Sequence, residues 1–298
     1  MSKNQRPINA FIIDDKQDYI ESLRIAARSK RIILDSSTNL ETGIDVIKNN
    51  KQIDFVILDG KCFVDQDQEL TGSTVSNIPV RAKSQIDDIN REQNRCIGYC
   101  VNTGFYDDLQ GNFDGVFTIF KKDDDEKLLD FVINEVSQSE LYKIKNKYNE
   151  CFEIFDLGIV DSKYEHLLVD VLTSIEKADY RKKNIGPMRD LLEAIYHGLI
   201  SVTCIPSSFL NQNGNPNLEW CTRFMEQRTT DDATGNSFTL TNSVPQEMKS
   251  AFRKLKESTS AFAHLNDSDI IKYPFLSNSH LLLELVVWVP VFHSQHYK

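Results

Sequence analysis

Three short apolar runs in the first half of the chain each end in charged residues. Ala10-Phe11-Ile12-Ile13 runs into Asp14-Asp15, the stretch from Ile53 to Leu58 runs into Asp59, and Val116-Phe117-Thr118-Ile119-Phe120 runs into Lys121-Lys122. If these runs are strands of an open parallel sheet, their carboxyl ends share one edge, which is where such sheets bind ligands. Carboxylates gathered at one edge repel one another unless a hard cation sits among them, and Mg²⁺ accepts such oxygens while keeping waters and room for a phosphate. A carboxylate beside that cation can attack phosphorus and become an acyl phosphate. A lysine at the same edge neutralises phosphate oxygens.

The residues between these positions read as alternating strands and helices. Tyr19, Leu23 and Ala26-Ala27 recur at helical spacing over 16–28, a second strand is expected over 31–35, and a second amphipathic helix over 39–47 leads to the strand that ends at Asp59. The polar stretch 65–94 reads as a long insertion beside the site with one short helix over 84–91. A fourth strand is expected over 96–101, followed by Asn102-Thr103-Gly104. The acidic start Asp123-Asp124-Asp125-Glu126, followed by Leu128-Leu129, Val132 and Val136, predicts a helix whose N-terminus is complemented by negative charge.

This order resembles the receiver domain of two-component response regulators. The separation 59 − 15 = 44 residues fits the stretch that receivers place between their acidic pair and their phosphoacceptor. The resemblance implies a flavodoxin-like, doubly wound, parallel five-stranded fold. It also implies Asp14 and Asp15 as a Mg²⁺-binding pair, Asp59 as phosphoacceptor and metal ligand, and the Lys61 backbone carbonyl as a further ligand. Thr103 and Lys121 become the phosphate-binding hydroxyl and ammonium, although a one-residue shift puts Asn102 in the place of Thr103. The chain departs from the family pattern after Asp59, where Gly60-Lys61-Cys62 replaces the usual Met-Pro type of loop. It departs again at Lys122, which stands where receivers carry a proline, and at Thr118, which stands where many carry a switching aromatic.

The chain of 298 residues is long enough for two domains, and its formal net charge of −10 offers no basic footprint for DNA. Six cysteines occur with no Cys-x-x-Cys pair, and Cys96 and Cys100 are expected as buried thiols. The N-terminus is polar, and the longest apolar run, 281–292, contains Glu284 and Pro290 and is too short to span a bilayer. A cytoplasmic location away from membranes is therefore expected.

The second half is expected to be all-α, with helices over 161–178, 186–202, 217–227, 245–264 and 277–292 and loop material over 229–243. Two of these helices, one around Arg189-Asp190-Leu191-Leu192-Glu193-Ala194-Ile195 and one around 255–264, resemble the signature helices of HEPN-related domains. Members of that family that cleave RNA use a basic residue and a histidine, and Arg189, Lys256 and His264 are the candidates here, although their spacing misses the family motif. The domain reading is a receiver-like domain over 1–138, a connecting helix over 139–150 and a helical output domain over 151–298. The expected function is a phosphorelay response regulator. It takes a phosphoryl group from a histidine kinase or phosphotransfer protein onto Asp59 and switches a helical domain that acts on a protein partner; homodimerisation is left open. The competing expectation is a receiver-gated ribonuclease or phage-defence effector.

Overall fold

The computed structural model describes residues 5–72, 77–93, 95–106, 116–262 and 266–296. The chain divides into two compact units, Met1–Asn146 and Lys147–Lys298.

The first unit is built on five parallel strands, β1 (Ile8–Ile13), β2 (Ile32–Ser37), β3 (Phe55–Asp59), β4 (Gly98–Thr103) and β5 (Ile119–Lys121). They lie in the order β2-β1-β3-β4-β5, the flavodoxin-like order. Every residue of β3 is buried, as expected of a central strand covered on both faces.

Strand alternation sends Ala10, Ile12, Phe55, Ile57 and Cys100 to one face. There they meet Ile20, Leu23 and Ala27 of α1 (Gln17–Ser29) and Leu128, Leu129, Val132 and Val136 of the last strand's following helix (Asp125–Gln138). Phe11, Ile13, Val56 and Leu58 point to the other face, against α2 (Leu40–Asn49). Asn39 caps α2, its side chain accepting a hydrogen bond from the Thr42 N–H at 3.0 Å.

The stretch 65–94, expected to hold one short helix over 84–91, is more helical than that. It holds α3 (Gln66–Thr71) and α4 (Ile78–Gln93), and α4 is the crossover helix that a parallel β3–β4 pair requires. Its buried Ile78, Ala82, Ile86 and Ile89 follow helical spacing on an otherwise polar helix, so the apolar stripe is narrow and the polar majority hides it.

The helix Asp125–Gln138 is α5, and α6 (Glu140–Lys147) follows it. The stretch expected as a connecting helix over 139–150 holds α6, and α6 packs on the first unit. Tyr142 is buried in the α1/α5 cluster and donates from its hydroxyl to the Arg6 carbonyl at 2.8 Å, and the Arg6 N–H donates to Asn146 Oδ1 at 2.7 Å.

The second unit is mainly helical: α7 (Glu153–Asp156), α8 (Glu165–Glu176), α9 (Gly186–Ser201), α10 (Leu218–Met225), α11 (Gln246–Ala261) and α12 (Lys272–His296). Tyr196 of α9 is fully buried, stacks on Phe252 of α11 with ring centroids 5.4 Å apart and shares a 2.8 Å hydrogen bond with Thr222 of α10. At Gly198 any Cβ would run into the Ile159 carbonyl, so only glycine lets α9 approach that backbone.

The second unit is not purely α. Thr230–Asp231 (β6) and Ser237–Phe238 (β7) pair antiparallel within the stretch read as loop. Strands of two residues carry no readable alternation, and Asp232 Oδ1 closes the turn by accepting from the N–H groups of Thr234 and Asn236.

The apolar run 281–292 belongs to the 25-residue α12, which is long and apolar enough to cross a membrane by length and composition. Half of its most apolar stretch is buried within the structure, where Leu282, Leu285, Val286, Val289 and Phe292 form core.

Candidate functional site

Asp14 follows β1, Asp59 ends β3 and Asn102 lies opposite Asp59 on β4, so the carboxyl edge of the sheet collects them. One oxygen from each of Asp14, Asp15 and Asp59 lies within 4.8 Å of the others. Asp14 is fully buried and Asp59 nearly so, while Asp15 is half-buried. The Lys16 N–H donates to Asp14 Oδ1 at 2.9 Å, turning the chain sharply from β1 into α1.

The ammonium in the site belongs to Lys122, not to the expected Lys121. Lys122 Nζ stands 2.6 Å from Asp14 Oδ2 and 3.1 Å from Asp59 Oδ2. Face parity is the reason. Asp59, Asn102 and Phe120 lie at matching register positions on β3, β4 and β5, and Phe120 packs on the α1/α5 face. Lys122 is two residues beyond Phe120, whereas Lys121 pairs with Thr103 and turns the other way, its ammonium 4.9 Å from the Tyr106 ring centroid.

The same parity bears on the hydroxyl. Thr103 is buried and its Oγ1 accepts from the Phe105 N–H at 3.0 Å, while Asn102 is the residue in register with Asp59. Lys61, two residues past β3, holds its ammonium 3.7 Å over the Phe105 ring.

Tyr19, read from sequence only as an apolar helix position, completes the cluster. Its hydroxyl donates to Asp125 Oδ1 at 2.6 Å and accepts from Asn102 Nδ2 at 2.5 Å, and Lys122 Nζ lies 4.9 Å from its ring centroid. Asp125 opens α5, so one phenol joins the end of β4 to the helix after β5. No local signal marks this role; an apolar stripe interrupted by a phenol facing a strand-end amide is visible only once the strands are in register.

Burial, and then the charge of Asp14, push the Asp59 carboxyl up to about 7 against the opposing pull of Lys122. Burial raises Asp14 as well, with Lys122 pulling down. Burial disfavours the Lys122 ammonium, but Asp59 and Asp14 outweigh it and hold the group above its ordinary value. Asp59 Oδ1 and Asn102 Oδ1 are buried with no hydrogen-bond partner among the described residues. Three carboxylates against one ammonium, with an unsatisfied buried oxygen among them, are a donor set that a hard, oxygen-seeking cation fits.

Of the three alternative candidates in the second unit, the two that are described, Arg189 and Lys256, do not line a common pocket. Lys256 is ion-paired with Glu219 of α10. Arg189 lines a surface pocket with Lys182, Lys183 and Thr259, of which Lys256 is not a lining residue. His264 lies outside the described residues. Cys100 is buried as expected, whereas Cys96 is exposed, because it precedes β4 rather than lying in it. No family model, no curated protein and no solved structure matches the chain, so what the site can do has to be read from its own chemistry.

Proposed function

We propose that the first unit is a phosphoacceptor switch of the response-regulator kind, with Asp59 as the acceptor. The observation that carries this reading is the meeting of Asp14, Asp15 and Asp59 with Lys122 at the carboxyl edge of a 2-1-3-4-5 parallel sheet. Asp14, Asp15 and Asp59 would hold Mg²⁺, which would supply charge neutralisation for a phosphoryl group.

The Asp59 carboxylate oxygen attacks the phosphorus of a phosphohistidine or a small acyl phosphate. The new O–P bond forms as the donor's N–P or O–P bond breaks, and the donor atom keeps the electron pair. Lys122, at 3.1 Å from Asp59, moves its ammonium onto the incoming phosphoryl oxygens. Asn102, in register with Asp59 and carrying an unsatisfied Oδ1, stands where the group's arrival is sensed, and Tyr19 links it to the first turn of α5. This route differs from the hydroxyl-and-aromatic relay of the family, because Thr103 is turned to the Phe105 N–H. A histidine kinase or phosphotransfer protein is the proposed donor, and the helical unit the proposed output, acting through a protein partner.

The test is intact-protein mass after incubation with acetyl phosphate and Mg²⁺. A single hydroxylamine-labile phosphoryl adduct in the parent and none in Asp59→Asn is the expected result. No adduct in the parent, or the same adduct in Asp59→Asn, refutes the proposal.

A further inference from the structure

We propose that the helical unit carries a transition-metal site of its own, in the groove between α8 and α9, taking Zn²⁺ or a cation of that borderline class through His166, Glu193 and His197. The groove, about 330 Å³ in volume, is lined by these three residues together with Tyr164, Asp190 and Asn215 among others. Asp190, Glu193 and His197 stand at i, i+3 and i+7 on α9, one polar stripe on a single face. The packing of α9 is carried by Leu191, Leu192, Ile195 and Leu199, so the core has no use for that stripe. Among the described residues, no hydrogen bond or ion pair within the protein engages the side chains of Asp190, Glu193 or His197.

The second observation is on the opposite wall. His166, in the first turn of α8, holds its Nδ1 2.7 Å from the Lys163 carbonyl oxygen. A carbonyl only accepts, so Nδ1 is the donor in this contact and Nε2 is the ring nitrogen left to face a ligand. Donation from the far ring nitrogen to a backbone carbonyl is the outer-shell contact by which metal-ligating histidines are oriented. Two imidazoles and a carboxylate suit Zn²⁺, in contrast to the all-oxygen aspartate cluster of the first unit, which suits a hard cation. Asp190 adds a second negative charge beside the dication.

Among the described residues only the three aspartates hold ligand atoms within 4.8 Å of one another. Metal capture in the groove therefore draws Glu193 and His197 inward by side-chain rotation. His197 is exposed and Glu193 half-buried, and rotation of such side chains is fast.

The experiment is calorimetric titration of the full chain with Zn²⁺ at neutral pH, on the parent, Asp59→Asn, His166→Ala/His197→Ala and Glu193→Gln. A Zn²⁺ event is expected in the parent and is retained in Asp59→Asn, in which the first unit's aspartate cluster has lost one carboxylate. In the histidine double variant it should weaken by more than the roughly 10- to 100-fold that losing an outer-shell partner costs, and it should weaken at least tenfold in Glu193→Gln, which keeps the side chain's shape. Far-UV circular dichroism checks that the variants stay folded. The proposal is overturned by a parent that binds no Zn²⁺, by undiminished binding in the histidine double variant or in Glu193→Gln, or by loss of binding in Asp59→Asn alone.

Discussion

Replacing Asp59 by asparagine should stabilise the first unit in the absence of divalent cations, and the size of the effect should depend on pH. Burial and the neighbouring Asp14 charge raise the Asp59 carboxyl from its ordinary 3.8 to about 7. At 1.36 kcal/mol for each pKa unit, that rise means the folded state spends roughly 4 kcal/mol to keep Asp59 ionised. The side chain is 4% exposed, so solvent screening removes little of it.

The sign follows from proton counting. The folded pKa is raised, so between 3.8 and about 7 the folded state binds more protons than the unfolded state, and stability falls as pH rises through that window. The penalty is complete above pH 7 and gone below 3.8. Asparagine imitates the neutral carboxyl at nearly the same size. Asp59→Asn should therefore raise the unfolding free energy by on the order of 4 kcal/mol at pH 8, and by less than about 2 kcal/mol at pH 5.

Urea unfolding of the full chain in chelator, with hydrogen exchange to assign the transition to the first unit, measures both values. Added Mg²⁺ should then close the gap from the parent's side: at a free concentration about 100 times its Kd it stabilises the parent by about 2.7 kcal/mol. Because Asp59→Asn lacks one of the three carboxylates, it should gain less. A variant no more stable than the parent at pH 8, or equally stabilised at both pH values, would refute the claim that a buried carboxylate, only partly compensated by Lys122, sits at the centre of the site.

Lys122→Met removes the counter-charge that two buried carboxylates share, with ion pairs of 2.6 and 3.1 Å, and should cost on the order of 3–5 kcal/mol in the same assay. Lys121→Met, on the opposite face, should stay within about 0.5 kcal/mol, as exposed substitutions do; equal effects from the two would show that the face assignment is wrong. Tyr19→Phe deletes the hydroxyl between Asn102 and Asp125, leaves the buried Asn102 amide without that partner and should cost about 1–3 kcal/mol, with faster hydrogen exchange at the start of α5. Unchanged exchange there would remove Tyr19 from the route between β4 and α5.

How much of this was readable from the sequence differs from residue to residue. Asp14, Asp15 and Asp59 stood out because each closes an apolar run, and a buried parallel strand leaves that pattern in the chain itself. The helices of the second unit were legible for the same kind of reason, since Leu191, Leu192, Ile195 and Leu199 repeat at helical spacing whatever they pack against. The crossover helix α4 was obscured because five buried positions suffice to seat it and the other eleven are at least partly exposed and mostly polar. The docking of α6 depends on Arg6 and Tyr142, residues far apart in sequence that meet only in the fold.

By itself, the sequence determined the alternation of strands and helices, the acidic edge and the presence of a lysine beside it, because local periodicity and strand ends are properties of short segments. Only the tertiary structure decided that the lysine is Lys122, that Asn102 rather than Thr103 stands in register with Asp59, and that Tyr19 joins them to α5. These choices turn on which face of a strand a side chain occupies. That is set by hydrogen-bonded register between strands distant in sequence, where a shift of one residue reverses every side chain.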